Sequence, residues 1–537
     1  MNLARMDLFV PVAMLLAGLF TGGCEESRRS PSTVTTLTPI TELGPTIGSL
    51  AQVLAPETIK VEGYGLVGGL NGTGSEQCPT QIRRYLTQHI ASQSPGRTVD
   101  VQRILSSMNT AVVRLDAVMP ASPSPGETFD LRVTALESTQ TTSLEGGWLY
   151  SAELYMQGAF GLGTEVLAKA QGPVFIDALD ATAVRKRHGF VLGGGSTLKG
   201  YKIGVALPKD DYRLSSAIRN RLNERYGFDT AKAVSPKLIE VAIPARYKAR
   251  KQRFVEMVRA TYMTETADLA RERVRTFVRE LATAEDKARS EIALEAIGTP
   301  VLERLPTLLN SSDEAVRLRT ARVLLNVGSQ AGLAPLREIA LNRDSPYRLV
   351  ALDAVGHAAS RTDAAALASR LVGEPDANVR LAAYRLLSRL QDPSITRARV
   401  GRSFHLEQIA VGPPMVYASR SGAAKIVLLG APLVCRDNIF VESADGGIMI
   451  DAPVGQRYVS IIRQIPGRVG SAARLRSSFN LADIIRVLCE DPAQDGKEGP
   501  GGLGVSYADA IALLERMCDS GAVAASFVAG PMPKTGE

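Results

Sequence analysis

A single tryptophan, Trp148, and an aromatic content of 5% leave the 537-residue chain few flat platforms on which bases or sugars can stack. Histidine is scarce as well: His89, His188, His357 and His405 are scattered. The five cysteines, Cys24, Cys78, Cys435, Cys489 and Cys518, have no finger-like spacing, so the sequence offers no metal site. No Gly-x-Ser-x-Gly or His-Glu-x-x-His motif is present, and no Ser-x-x-Lys comes with its partner motifs, so no catalytic residue is assigned and the chain reads as a non-enzyme with no cofactor. Charge of one sign is lacking too. Lys plus Arg minus Asp plus Glu is 62 − 55 = +7, a weak field with no basic tract, which argues against a nucleic-acid partner. The one long apolar run, Leu8 to Phe20, excludes a multi-span membrane protein.

What is present begins with that run. Arg5 and the free amine precede it, and Thr21, Gly22, Gly23 and Cys24 follow it, the order of an export signal over residues 1–24. Cys24 behind two glycines resembles a lipoprotein processing box, with Thr21 where such boxes usually carry Leu, so Cys24 is a lipidation candidate. The alternatives are a cleavage site elsewhere or a retained anchor. Residues 25–46, rich in Ser, Thr and Pro, read as a flexible linker. For the other four cysteines three pairings are open in an oxidising compartment, and Cys489 with Cys518, on neighbouring C-terminal helices, is the simplest candidate disulfide.

Val61 to Ser75 reads VEGYGLVGGLNGTGS. Gly63, Gly65 and Gly68 have the spacing of a dinucleotide loop, but LNGTG follows where a helix must open, and Ser75 stands where a Walker loop needs Lys. The expectation is a strand, Thr58 to Val61, a tight glycine turn, and an amphipathic helix from Thr80 to Ile90. Further on, VVRLDAV (Val112 to Val118) and TFDLRV (Thr128 to Val133) alternate apolar and polar residues as half-buried strands do. Leu214, Ile218, Leu222 and Tyr226 form one stripe of a helix that Asp210 and Asp211 open.

IGSLAQV (Ile47 to Val53) followed by GYGLVGGLNGTGS resembles the opening of the bacterial flagellar P-ring protein family. NTAVVRLDAVMP from Asn109, PGETFDLRV from Pro125, TSLEGGWLY from Thr142 and AQGP from Ala170 follow in that family's order. On this likeness Gly63, Tyr64, Gly65, Asn71, Gly72 and Gly74 are the signature turn, and 47–264 is a P-ring-like α+β region.

From 265 to 392 the composition shifts to Ala, Leu and Arg in helical periodicity. VRLRTARVLLNVG from Val316, YRLVALDAVGHAA from Tyr347 and VRLAAYRLLSRLQ from Val379 align without gaps, each behind a shorter apolar helix: Pro300 to Leu309, Gly332 to Leu341, and Asp363 to Val372. The segment resembles HEAT-type helical pairs, an all-α solenoid with Arg317, Arg348 and Arg380 as a repeating column that braces neighbouring repeats or faces solvent, the alternative being direct contact with a ligand. After Pro393 short β-branched runs return, and two helices close a C-terminal region, 393–537, whose last segment, LGVSYADAIALLERMCDSGAV, resembles the P-ring C-terminal helix.

The fold class expected is therefore α+β: a β-rich P-ring-like body split by a helical-repeat insertion that loops out from it. The resemblance implies a structural subunit of the flagellar basal-body P ring, a homo-oligomer around the rod in the periplasm and peptidoglycan layer. Its partners would be other copies of itself, rod and L-ring proteins, peptidoglycan, and an unidentified protein on the helical face. The competing reading is a membrane-tethered periplasmic adaptor whose solenoid recruits an envelope protein.

Overall fold

The computed structural model describes residues 43–55, 57–93, 100–159, 164–179, 186–464, 472–492 and 501–534; Cys24 and the signal and most of the linker lie outside them. The first part comprises α1 (Ile47–Leu50), β1 (Gln52–Leu54), β2 (Ile59–Gly68), α2 (Thr80–Gln93), α3 (Val101–Leu105), β3 (Thr110–Met119), β4 (Thr128–Ala135), β5 (Trp148–Met156), β6 (Ala168–Pro173) and β7 (His188–Thr197). Strands β2 to β7 close into a barrel in the order β2-β3-β4-β7-β6-β5. Alternation places Val113, Leu115, Leu131, Val133, Leu149 and Leu154 inside it.

Next come β8 (Ile203–Ala206), α4 (Tyr212–Tyr226), β9 (Ala231–Ala233), β10 (Leu238–Val241) and α5 (Lys251–Ala260). The antiparallel sheet β1-β8-β10-β9 is covered by helices, with Ile218, Leu222, Phe254 and Val258 packed on Val205 and Ile239. Asp211 caps α4 by accepting from the Arg213 and Leu214 amides at 2.8 and 2.9 Å.

Seven helices follow: α6 (Ala267–Thr283), α7 (Ala288–Ile297), α8 (Glu314–Asn326), α9 (Leu333–Leu341), α10 (Arg348–Ala358), α11 (Arg361–Leu371) and α12 (Ala377–Arg389). The helix expected from Pro300 to Leu309 is instead two 3-10 stretches, Thr299–Glu303 and Leu305–Asn310. Pro306 lacks the amide that an α-helix would bond to the Leu302 carbonyl, and the shorter turn does not need it.

The C-terminal part holds β11 (Thr396–Val400), β12 (Phe404–Ile409), β13 (Met415–Ala418), β14 (Lys425–Leu429), β15 (Ile439–Glu442), β16 (Ile448–Ala452), β17 (Val459–Gln464), β18 (Ala472–Ser477), α13 (Leu481–Cys489), α14 (Tyr507–Asp519) and β19 (Ser526–Ala529). They form a mixed sheet, β11-β12-β14-β13-β19, and an antiparallel one, β15-β16-β17-β18. Ile484, Leu488, Ile511 and Leu514 of the two helices share a core with Ile450 and Ile461. The architecture is α+β, β-rich at both ends and helical between them.

The helical array is not looped out. One face of the mixed sheet, Ile409, Met415, Tyr417, Val427 and Leu429, belongs to the same core as Leu381, Tyr384 and Leu387 of α12. The other face packs on α13 and α14, and Phe175 from the barrel enters that second core. Its ring centroid lies 5.8 Å from that of Tyr507. Apolar strand faces on both sides of a sheet need covers on both sides, and the last repeat supplies one of them.

Candidate functional site

The glycine-rich segment is a strand before it is a turn. β2 runs through Gly63, Tyr64 and Gly65 to Gly68, past the expected end at Val61, and pairs with β3 along its whole length. Its register with β5 shifts between Glu62 and Val67. There the strands approach so closely that a Cβ on Gly63 would sit 2.3 Å from the Glu153 carbonyl oxygen, and one on Gly65 2.9 Å from Leu149. Glycine at these positions lets the barrel close. The turn proper follows. Gly72 has φ +78°, with open space around it, and its amide donates to the Asn109 side-chain oxygen at 3.0 Å. Gly74 is buried and donates to the Met108 carbonyl at 2.8 Å; a Cβ there would lie 2.1 Å from the Thr110 oxygen. Asn71 and Gly72 are exposed at the tip. The signature residues thus divide into barrel closure (Gly63, Gly65), an anchor (Gly74) and a solvent-facing tip.

Carboxylates at three joints tie the layers together. Asp130 of β4 accepts from the Gly193 amide at 2.6 Å and from the Gly422 amide at 2.9 and 3.0 Å, joining the barrel to the β13–β14 connection. Arg420 of that connection pairs with Asp177 at 2.9 Å. Glu291 and Glu295, one turn apart on α7, are each 1% exposed. Glu291 receives Arg253 of α5 at 2.7 Å and Arg319 and Arg322 of α8 at 2.8 and 2.5 Å. Glu295 receives the Arg253 Nε at 2.9 Å and the Asn326 amide at 3.0 Å. Burial alone would push the Glu291 carboxyl up, but the hydrogen bonds and charges of Arg322 and Arg253 hold it below its ordinary value. Glu407 of β12 accepts from the Tyr384 hydroxyl of α12 at 2.6 Å and from Arg397 at 2.8 Å. Against the upward push of burial, these partners and Lys425 keep it low. The sequence reading missed all three. The signal for Glu291 and Glu295 was visible as two acids four residues apart in the otherwise apolar run EIALEAI.

The repeat arginines each donate to a carbonyl of their own array, and Arg380 also reaches beyond it. The Arg317 guanidinium donates to the Ser311 carbonyl at 2.7 Å, and the Nε atoms of Arg348 and Arg380 donate to those of Ala340 and Val372, both at 3.1 Å. Arg348 also pairs with Glu374, and Arg380 reaches the Pro413 carbonyl. Arg348 and Arg380 are buried.

The Cys489–Cys518 disulfide is not formed: all four described cysteines are free. Cys489, at the end of α13, feels the charge of Asp509 at the start of α14, whereas Cys518 lies nine residues further along that helix, about 14 Å at 1.5 Å per residue. A disulfide spans at most about 7 Å between Cα atoms. The neighbour of Cys518 is Cys435; burial, then the nearby Cys518, pushes the Cys435 thiol up to about 12.

A cavity of about 640 Å³ lies between α2, α3 and the barrel, lined in part by Leu66, Leu86, His89, Ile90 and Tyr150. His89 is engaged on both sides, Nε2 with the Ser151 carbonyl at 2.9 Å and Nδ1 3.7 Å from Glu153. Among the described residues no group of three or more His, Cys, Asp or Glu is placed to hold a metal ion, and no helix is long and apolar enough to cross a membrane.

A barrel closed by glycine, a one-sided α/β layer and a helical array, joined by buried ion pairs, define a multi-layered α+β protein whose distinctive parts are its joints and strand edges. Residues 46–274, from α1 into α6, match the model of the flagellar P-ring protein family. The flagellar P-ring protein of Albidiferax ferrireducens is 30% identical over 230 residues, 39% of this chain and 58% of that protein. That of Sodalis glossinidius is 29% identical over 213 residues, 37% and 56% respectively, and that of Salmonella choleraesuis 27% over 198 residues, 34% and 52%. The chain spans little more than half the length of these curated relatives. Most of the helical array and the whole C-terminal part lie beyond the matched residues.

Proposed function

We propose that this protein is a structural subunit of the P ring of the flagellar basal body, encircling the rod in the periplasm and peptidoglycan layer and supporting motility. The observation that carries the reading is the family match over the barrel and its α/β layer, 46–274, the region in which the signature glycines shape barrel closure. A ring wall needs stiffness, and the joints at Asp130, Glu291 and Glu407 tie the barrel to the C-terminal sheet, the α/β layer to the helical array, and the array to that sheet. In this reading the partners are other copies of the chain, rod and L-ring proteins and peptidoglycan, and no reaction or cofactor is involved. Electron microscopy of purified basal bodies carrying a labelled copy tests it. Label on the P ring, with loss of swimming on deletion of the gene, is expected; basal bodies with complete, unlabelled P rings would overturn it.

A second reading, a periplasmic adaptor tethered through Cys24, is favoured by one observation: α7 to α12 lie outside the family match. Exchange of Cys24 for Ala would release such a protein from membrane fractions, and unchanged partitioning would remove the tether.

A further inference from the structure

Closure leaves the barrel without edges, so exposed strand edges belong to the open sheets. In the sheet β15-β16-β17-β18 both outer strands are open among the described residues, and the two edges differ in charge. One face of this sheet is buried on α13 and α14 through Val441, Ile450 and Ile461. The registers give the other face two straight cross-strand rows, open at their ends on β15 and β18. One runs Phe440, Asp451, Ser460, Arg476; the other runs Glu442, Met449, Ile462, Arg474. Each row begins on β15 and ends in an arginine on β18. Phe440 is 63% exposed, although it is a large apolar side chain on a strand. Glu442, Arg474 and Arg476 are exposed as well.

Strand direction adds a constraint. Four strands alternate in direction, so β18 runs opposite to β15. A neighbouring copy related by simple rotation, without a flip, therefore presents its β15 antiparallel to β18 of the first copy. Sheet and rows then continue in register: Arg476 meets the neighbour's Phe440, and two residues along Arg474 meets the neighbour's Glu442. The first contact is a cation over an aromatic face, the second a cross-strand ion pair. Within one chain Arg476 already stacks on the Tyr458 ring at 4.3 Å, a geometry the neighbour's Phe440 extends. Arg516 donates to the Glu442 carbonyl at 3.0 Å and occupies one edge acceptor of β15.

We propose that the basic β18 edge of each copy takes the acidic and aromatic β15 edge of the next, in a head-to-tail contact that makes one antiparallel sheet of successive subunits. This rests on the ring reading and names the surface that builds the ring; a contact between two different edges repeats without exhausting itself, as a ring requires.

The test is charge exchange on the purified full chain, read as self-association by light scattering and sedimentation. Arg474→Glu and Glu442→Arg each place like charges opposite one another and should weaken association by about tenfold or more. The double variant restores opposite charges and should return to within about threefold of wild type. Both side chains are exposed, although Arg474 also donates to the Ser460 hydroxyl at 2.8 Å, and melting curves of the single variants separate lost contact from lost fold. If the wild type associates and the single variants associate equally well, this edge is not the contact, although the ring reading stands. A double variant that fails to recover while folded also overturns the pairing. A wild-type chain that stays monomeric at every concentration, with no label in basal-body rings, takes down the ring reading itself.

Discussion

Replacement of Glu291 by alanine removes the one carboxylate that meets three guanidinium groups from two helices. Arg253, Arg319 and Arg322 approach it at 2.5 to 2.8 Å, and its own side chain is 1% exposed. Breaking a buried ion pair from one side costs about 3–5 kcal/mol, because the partner charges stay behind unpaired. The arginines here retain 15 to 29% exposure and can recover some hydration, and Arg253 keeps Glu295, so the lower end, about 3 kcal/mol, applies. The loss should be local to the stack α5–α7–α8. A chain with several cores does not unfold in one step, so a global melting temperature is a poor gauge. Hydrogen exchange resolves it by element: about 3 kcal/mol at about 1.4 kcal/mol per decade predicts roughly 100-fold faster exchange in α7 and α8, with the amides of β2 to β7 unchanged. Acceleration below threefold in those helices, or equal acceleration in the barrel, would refute the claim that this carboxylate pins the array to the body.

Two other predictions concern the remaining supports. Gly74→Ala drives a methyl to 2.1 Å from a backbone oxygen and should cost about 3 kcal/mol in barrel stability; Gly72→Ala, in open space at φ +78°, should cost only about 1 kcal/mol, and equal losses by chemical denaturation would count against the assigned roles. For Glu407 the native carboxyl lies below its ordinary value, so its contribution is complete above the unfolded value of about 4.3 and fades as pH falls through the lower native value. Tyr384→Phe removes a hydrogen bond to a charged group, about 2 kcal/mol at pH 7, and the gap from wild type should narrow below pH 4; a gap independent of pH would contradict this.

Much of the fold was legible where a period or a cap is written in one short segment. TFDLRV alternates and is β4, and Asp211 precedes an apolar stripe and caps α4. What was not legible depends on residues far apart. Gly63 and Gly65 read as a turn because their reason, the approach of β5 some ninety residues on, is absent from local sequence. β13 and β19 pair in parallel across a stretch of chain that holds α13, α14 and the strands β14 to β18, which no local pattern announces. Cys489 and Cys518 do lie on neighbouring helices, but the length of α14 separates the two thiols, a distance the sequence does not carry. The helical array was recognised from its repeat, but its burial against the mixed sheet is a property of the sheet's second apolar face.

The bond between Asp130 and Gly422 spans 292 positions. In chain order the barrel strands come long before the segment that satisfies this carboxylate, with the α/β layer and the helices in between. Until residue 422 arrives, Asp130 lacks its long-range donor and Phe175 its Tyr507 companion, leaving an apolar ring and a charge on a half-built surface. Contacts of such reach are formed slowly and invite misassembly. A chain truncated before residue 420 loses both contacts, and exposed apolar surface around Phe175 is the expected result.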